Sequence, residues 1–92
     1  MIKSFRDKST EALFRDEVVP KLRNIERVAR RKLLYLSQAG KLEDLRVPPG
    51  NHLEALKGER KGQHSIRIND QWRLCFTWSD GDASDVGITD YH

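Results

Sequence analysis

A single cysteine, Cys75, stands in a chain of 92 residues, so no disulfide framework can hold the fold and a reducing compartment is the expected setting. Long apolar runs are missing too. Hydrophobic residues make up 37% of the chain and charged ones 34%, and no stretch nears the roughly 20 apolar residues that span a bilayer. The opening MIKSFRDKST lacks the apolar core of a secretory signal. The expectation is a cytoplasmic protein without a membrane partner. Gly-rich phosphate loops are absent, and proline occurs only at Pro20, Pro48 and Pro49. The length suits one small core rather than two, so residues 1–92 are read as a single domain.

Charge is uneven. The last 19 residues carry four Asp and no Lys or Arg. Residues 21–32 hold six basic side chains, Lys21, Arg23, Arg27, Arg30, Arg31 and Lys32, against Glu26 alone. Residues 57–73 hold Lys57, Arg60, Lys61, Arg67 and Arg73 against Glu59 and Asp70. Two basic stretches beside an acidic end suit a polyanionic partner such as nucleic acid.

Apolar spacing gives the elements. MIKSF is consistent with a first strand, and Ser9 or Thr10 is placed to cap a short helix over TEALFRDE. Pro20 fits a helix start. From Lys21 to Gln38, Leu22, Ile25, Val28, Ala29, Leu33 and Leu36 recur at helical spacing, with Arg23, Arg27, Arg30 and Arg31 on the other side. Gly40 is expected to end this helix in a left-handed conformation. After the break at RVPPGN the period changes to two. Ile66 and Ile68, then Trp72, Leu74, Phe76 and Trp78, alternate with polar neighbours around the turn INDQW. DGD at 80–82 marks a second turn, and Val86 and Ile88 continue the alternation toward Asp90 and His92. The architecture is α+β, with helices on one face of a mostly antiparallel sheet. Arg67 and Arg73 then point away from the core, making the other face basic.

The side chains limit the chemistry. His52, His64 and His92 lie too far apart in sequence for the close pairing of structural zinc sites, so neither metal nor cofactor is expected. Cys75 sits inside a strand, where a small buried hydrophobe is its common role. Metal-free RNA cleavage needs a base for the 2′-OH, an acid for the leaving 5′-oxygen and a cation against the charge on phosphorus. His92 is of a type that can titrate near neutral pH, Arg73 is a permanent forked cation, and Asp90 can orient an imidazole or hold Arg73.

The stretch PPGNHLEALKGERKGQHSIRINDQWRLCFTW, together with the terminal DYH, resembles the HigB group of toxins in the RelE superfamily, the plasmid-maintenance killer proteins. The resemblance runs from MIKSF through the whole chain, and its longest piece is LKGxRxGQxSIRINDQWRLCF. It implies a RelE-like fold and a ribosome-dependent endoribonuclease that enters the decoding site and cuts mRNA without metal by 2′-OH attack. It also implies a HigA-type helix-turn-helix antitoxin that neutralises the toxin and, in complex with it, binds operator DNA. Asp90, Tyr91 and His92 match the family's catalytic end, Arg73 its sheet arginine and Lys57 its loop lysine. Some relatives carry histidine where this chain has Glu54, which leaves Glu54, His52 or His92 alone as the source of the base.

On that footing His92 is the acid or base, Asp90 tunes it, Arg73 and Lys57 meet the scissile phosphate, and Tyr91 stacks on a nucleobase. Arg60, Arg67, Arg23, Arg27, Arg30 and Arg31 are the expected RNA contacts, the helix arginines meeting ribosomal RNA through phosphates. The rival reading is a non-catalytic RNA- or ribosome-binding module whose main role is complex formation with an antitoxin.

Overall fold

Local capping decides where the first helix begins. A computed structural model describes residues 1–60 and 62–90, and in it helix α1 (Lys8–Phe14) starts after Asp7, whose carboxylate accepts the Thr10 amide at 2.7 Å. Neither Ser9 nor Thr10 is the cap. Asp7 is extended and three residues ahead of the amide it receives, the geometry an N-cap needs. Thr10 is fully buried instead, and its hydroxyl accepts the Ile88 amide at 3.1 Å, docking α1 on the sheet.

The long helix is shorter than its apolar pattern. Pro20–Ile25 form a 3-10 turn, and α2 covers Glu26–Gln38. Leu22 and Ile25 are three apart, a spacing that a three-residue turn places on one side as well as an α-helix does, and both are buried. Gly40 does not take the left-handed conformation. The helix ends at Ala39 with extended backbone, and the Asp44 carboxylate accepts the Gly40 amide at 3.0 Å.

Four antiparallel strands follow in the order β1 (Glu54–Ala55), β2 (Gln63–Arg67), β3 (Trp72–Ser79) and β4 (Asp82–Asp90). In the β2–β3 turn the Asn69 side chain accepts the amides of Gln71 and Trp72, each at 2.8 Å, which is why Asn suits that position. The β3–β4 turn puts Asp80 and Gly81 at positive φ, 50° and 82°, as a tight Asp-Gly hairpin turn requires. Cys75 pairs with Gly87 but Thr77 with Ser84, so β4 carries one extra residue. This bulge resets the alternation and lets Ala83 and Val86, three apart, both enter the core.

MIKSF is not a full strand. It makes two isolated parallel bridges, Ile2 with Ala83 and Phe5 with Val86, along the outer edge of β4. α1 and α2 cover one face of the sheet, and Leu13, Leu33, Leu36, Ile66, Leu74, Phe76 and Val86 form the fully buried centre. The expected α+β layering is observed. No helix among the described residues is long and apolar enough to cross a membrane.

One charged residue belongs to this interior. Lys32, counted with the basic stretch, is 6% exposed, because helical phase places it between Ala29 and Leu36. Burial, with Arg31 and Arg67 nearby, pushes its ammonium below the ordinary lysine value. The Asn51 side-chain oxygen accepts its proton, while the Asn51 amide donates to the carbonyls of Leu45 at 3.1 Å and Val47 at 3.4 Å. Asn51→Ala strands the ammonium and should cost about 2–4 kcal/mol, seen as a fall in Tm of about 10 °C or more. A melting curve within about 2 °C of the parent would contradict this account of the loop.

Candidate nucleic-acid interface

Strand register assembles the exposed face of the sheet. Arg67 and Arg73 are direct cross-strand partners, Ser65 pairs with Glu54 on one side and Cys75 on the other, and Arg73 pairs with Thr89. By the two-residue period, Glu54, Gln63, Ser65, Arg67, Arg73, Gly87 and Thr89 share this face. The basic face expected from the alternation is there, but its central arginine is not free.

Arg73 is 12% exposed. Its Nε donates to the Ser65 hydroxyl at 2.8 Å, and Nη2 donates to the His52 carbonyl at 2.6 Å. Nη1 lies 3.9 Å from the Glu54 carboxylate. Three segments thus converge on one guanidinium: β2, the loop before β1, and β1 itself. His52 contributes its backbone, held at φ 43° and ψ 61°. Glu54, 58% exposed, is therefore a carboxylate oriented by a fixed cation and open to solvent.

The other expected residues are distributed as follows. Lys57 is exposed, three residues beyond Glu54 and just before Gly58, whose φ of 68° turns the chain. Asp90 is the cross-strand partner of Trp72, which gives it the alternate orientation to Arg73 and Thr89, and its carboxylate accepts from the Gln71 side chain at 3.2 Å. The acid beside Arg73 is Glu54 rather than Asp90. Tyr91 and His92 lie outside the described residues. Arg60 donates to the Gln63 side chain at 3.3 Å, and Arg67 is ion-paired with Asp70.

On α2 and the turn before it, Arg23, Arg27 and Arg31 are exposed. Arg30 is not one of that set. It donates to the carbonyls of Leu13 at 3.0 Å and Glu17 at 2.8 Å and to the Glu26 carboxylate at 2.7 Å, clamping α2 to the end of α1. One cation on the sheet face was missed. Arg6 lies across Gly87, donating to Thr89 and to Gln63 at 3.3 and 3.4 Å. The signal was the glycine breaking the alternation of DVGITD, since glycine within a strand often marks close approach of another segment.

Among the described residues, no three His, Cys, Asp or Glu side chains converge as a metal site would require. Cys75 is fully buried. His64 belongs to the helix-covered side, stacked on Phe76 with ring centroids 6.2 Å apart.

Known proteins resemble this chain throughout its length. The profile of a family described as the RelE-like toxin of type II toxin-antitoxin system HigB matches residues 3–92. Toxin HigB-1 of Vibrio cholerae is 45% identical over 85 residues, 90% of each chain. Endoribonuclease HigB of Proteus vulgaris is 33% identical over 94 aligned positions, covering all of both chains. Among solved structures, a mutant of YafQ from E. coli superposes with a TM-score of 0.55 at 18% identity, covering 95% of this chain and 90% of that one. That neighbour establishes the RelE-like fold.

Burial holds His64 below its ordinary pKa of 6.5, so as pH falls the unfolded chain takes up the proton before the folded one. The stability at stake is therefore intact above pH 6.5 and is lost as pH drops below it. Comparing urea midpoints at pH 7 and pH 5, the parent should lose more than His64→Leu. Equal losses would show that His64 titrates alike in both states.

Proposed function

The chain belongs to the HigB-like family of RelE-like toxins from type II toxin-antitoxin systems, and on that premise we propose that it is an endoribonuclease that cuts mRNA in the ribosomal decoding site and so stops translation. Its reaction uses no metal. A base removes the proton from a 2′-OH, the oxygen attacks the adjacent phosphorus, and an acid protonates the departing 5′-oxygen. The one observation that carries this reading is the Arg73–Glu54 pair, 3.9 Å apart on the exposed sheet face.

Glu54 is the base in this scheme. Arg73 keeps its carboxylate aimed, and the same guanidinium offsets charge that builds on the phosphoryl oxygens. Lys57, at the entrance to the next loop, approaches the same phosphate. His92 supplies the acid, Asp90 at the end of β4 tunes it, and Tyr91 stacks on a base. Free mRNA is floppy, and the ribosome contributes by presenting the strand with attacking and leaving oxygens in line.

The partner that silences the toxin is a HigA-type helix-turn-helix antitoxin, and contact with operator DNA comes only through the complex with it. The cytoplasm is where ribosome and antitoxin meet. Arg23, Arg27 and Arg31 form a separate exposed basic surface suited to ribosomal RNA, holding the protein by phosphates without reading sequence. A second reading, a binding module without catalysis, is favoured by the enclosure of Arg73, whose Nε and Nη2 already serve the fold.

Expression without antitoxin separates the two. His92→Ala, Glu54→Gln and Arg73→Ala should each relieve growth arrest, with cleavage on programmed ribosomes falling at least 100-fold, the usual range for losing an acid, a base or a charge-stabilising group. Arrest as severe as the parent's in all three would remove the catalytic reading and leave the binding module. Reversing Arg27 and Arg31 to Glu should weaken co-sedimentation with ribosomes at least tenfold, since each phosphate contact is strongly salt-dependent. Unchanged co-sedimentation at physiological salt would assign those arginines to solubility.

A further inference from the structure

Packing alone does not ask for a lysine on the inner side of α2. Lys32 is 6% exposed and lies between Ala29 and Leu36, both fully buried. A methionine would fill the same space without giving up the hydration that an ammonium loses there. What the ammonium adds is direction. It is tolerated in the interior only with its acceptor in place, whereas apolar contact holds a segment without fixing its angle. The acceptor is Oδ1 of Asn51, itself fully buried.

The other bonds around Asn51 are local. Its side-chain amide donates to the carbonyls of Leu45 and Val47 at 3.1 and 3.4 Å, its backbone N–H to Pro48 at 2.9 Å, and the His52 N–H to Pro49 at 3.1 Å. These shape the turn without tying it to the sheet or to α2. Two bonds carry it outward. Lys32 joins Asn51 to α2, and the adjacent His52 carbonyl receives Nη2 of Arg73, on β3, at 2.6 Å. The seat of Asn51 on α2 therefore sets where that carbonyl stands. Ser65 alone, 2.8 Å from Nε and a long 3.5 Å from Nη2 through its own carbonyl, grips one side of the guanidinium and leaves its plane free to rock.

We propose that Lys32 and Asn51 are positioning residues for RNA cleavage: their bond places the His52 carbonyl, which orients Arg73 so that Nη1 meets Glu54. Neither residue touches the substrate. The role rests on the reading of Arg73 and Glu54 as an RNA-cleaving centre, and the test separates the two claims.

Lys32→Met cuts the tie to α2 without stranding a charge, and it should melt within about 5 °C of the parent. Lys32→Met/Asn51→Leu removes both partners together and serves as the second variant. Cleavage on programmed ribosomes is measured well below the melting range, so that loss of folded protein does not enter. In the folded variant kcat should fall roughly tenfold or more, as misplacement of a reacting group does, while KM for the ribosome stays within about threefold of the parent value, because Arg23, Arg27 and Arg31 are untouched. Side-chain NMR supplies a readout independent of cleavage. The Arg73 Nη resonances, kept separate in the parent by bonds that stop rotation of the guanidinium, should merge in the variant. A folded variant with parental kcat, a loss confined to KM, or unchanged Arg73 resonances would overturn the positioning role while cleavage itself stands. Failure of both variants to fold would assign the pair to the fold alone and overturn it too. A parent that cuts no mRNA would remove the cleavage reading and this role with it.

Discussion

The hydrogen bond from Lys32 to Asn51 is the constraint on which the candidate site depends. An ammonium inside an apolar core is tolerated only with a partner, and Asn51 provides one while its own amide donates to Leu45 and Val47. These bonds fix the loop that contains Pro48, Pro49 and Gly50. The next residue, His52, is held in the left-handed region at φ 43°, a conformation costing a non-glycine residue about 1 kcal/mol or more. Its carbonyl there accepts Arg73 at 2.6 Å. The interior of the helix layer is thereby coupled through one loop to the guanidinium on the opposite side of the sheet.

Much of this was legible in the sequence, and the gaps have physical causes. Leu33 and Leu36 reveal the buried side of α2 because helical phase leaves no alternative, and the alternation from Trp72 to Trp78 gives β3 the same way. Residue type alone groups Lys32 with the basic stretch, whereas its phase, three and four residues from Ala29 and Leu36, points inward. β1 was invisible since two residues carry no period, and it exists only through its pairing with β2. The hairpin pattern gave the outward orientation of Arg73. Its enclosure was not legible, because it depends on His52, 21 residues away. Of the expected site, Arg73 and Glu54 are brought together, and Asp90 takes the alternate orientation at the end of β4.

Surface charge is also less uniform than composition suggests. Of the six basic residues at 21–32, Lys32 is interior and Arg30 clamps α2 to α1. The exposed arginines Arg23, Arg27 and Arg31 belong to the helical layer, whereas Arg6, Arg60, Arg67 and Arg73 belong to the sheet face. Under the proposed function, a protein that holds a large RNA assembly and acts on one strand within it gains from keeping these two basic surfaces apart. Contacts that anchor need only charge, whereas contacts at the reacting bond need charge in a fixed place.

In its proposed role, Arg73 shows how that fixed place is achieved. A free arginine on a sheet would sample many rotamers and lose side-chain entropy when it met a phosphate. Here Ser65 and His52 take up Nε and Nη2, so the plane of the guanidinium is set before any substrate arrives, and Nη1 is left facing Glu54. Lysine could not substitute, because one ammonium cannot bridge two strands and a loop while presenting a further edge. The enclosure that makes Arg73 resemble a structural residue is thus the property a preorganised cation needs: the group gives up reach and gains a defined orientation toward charge that develops during reaction.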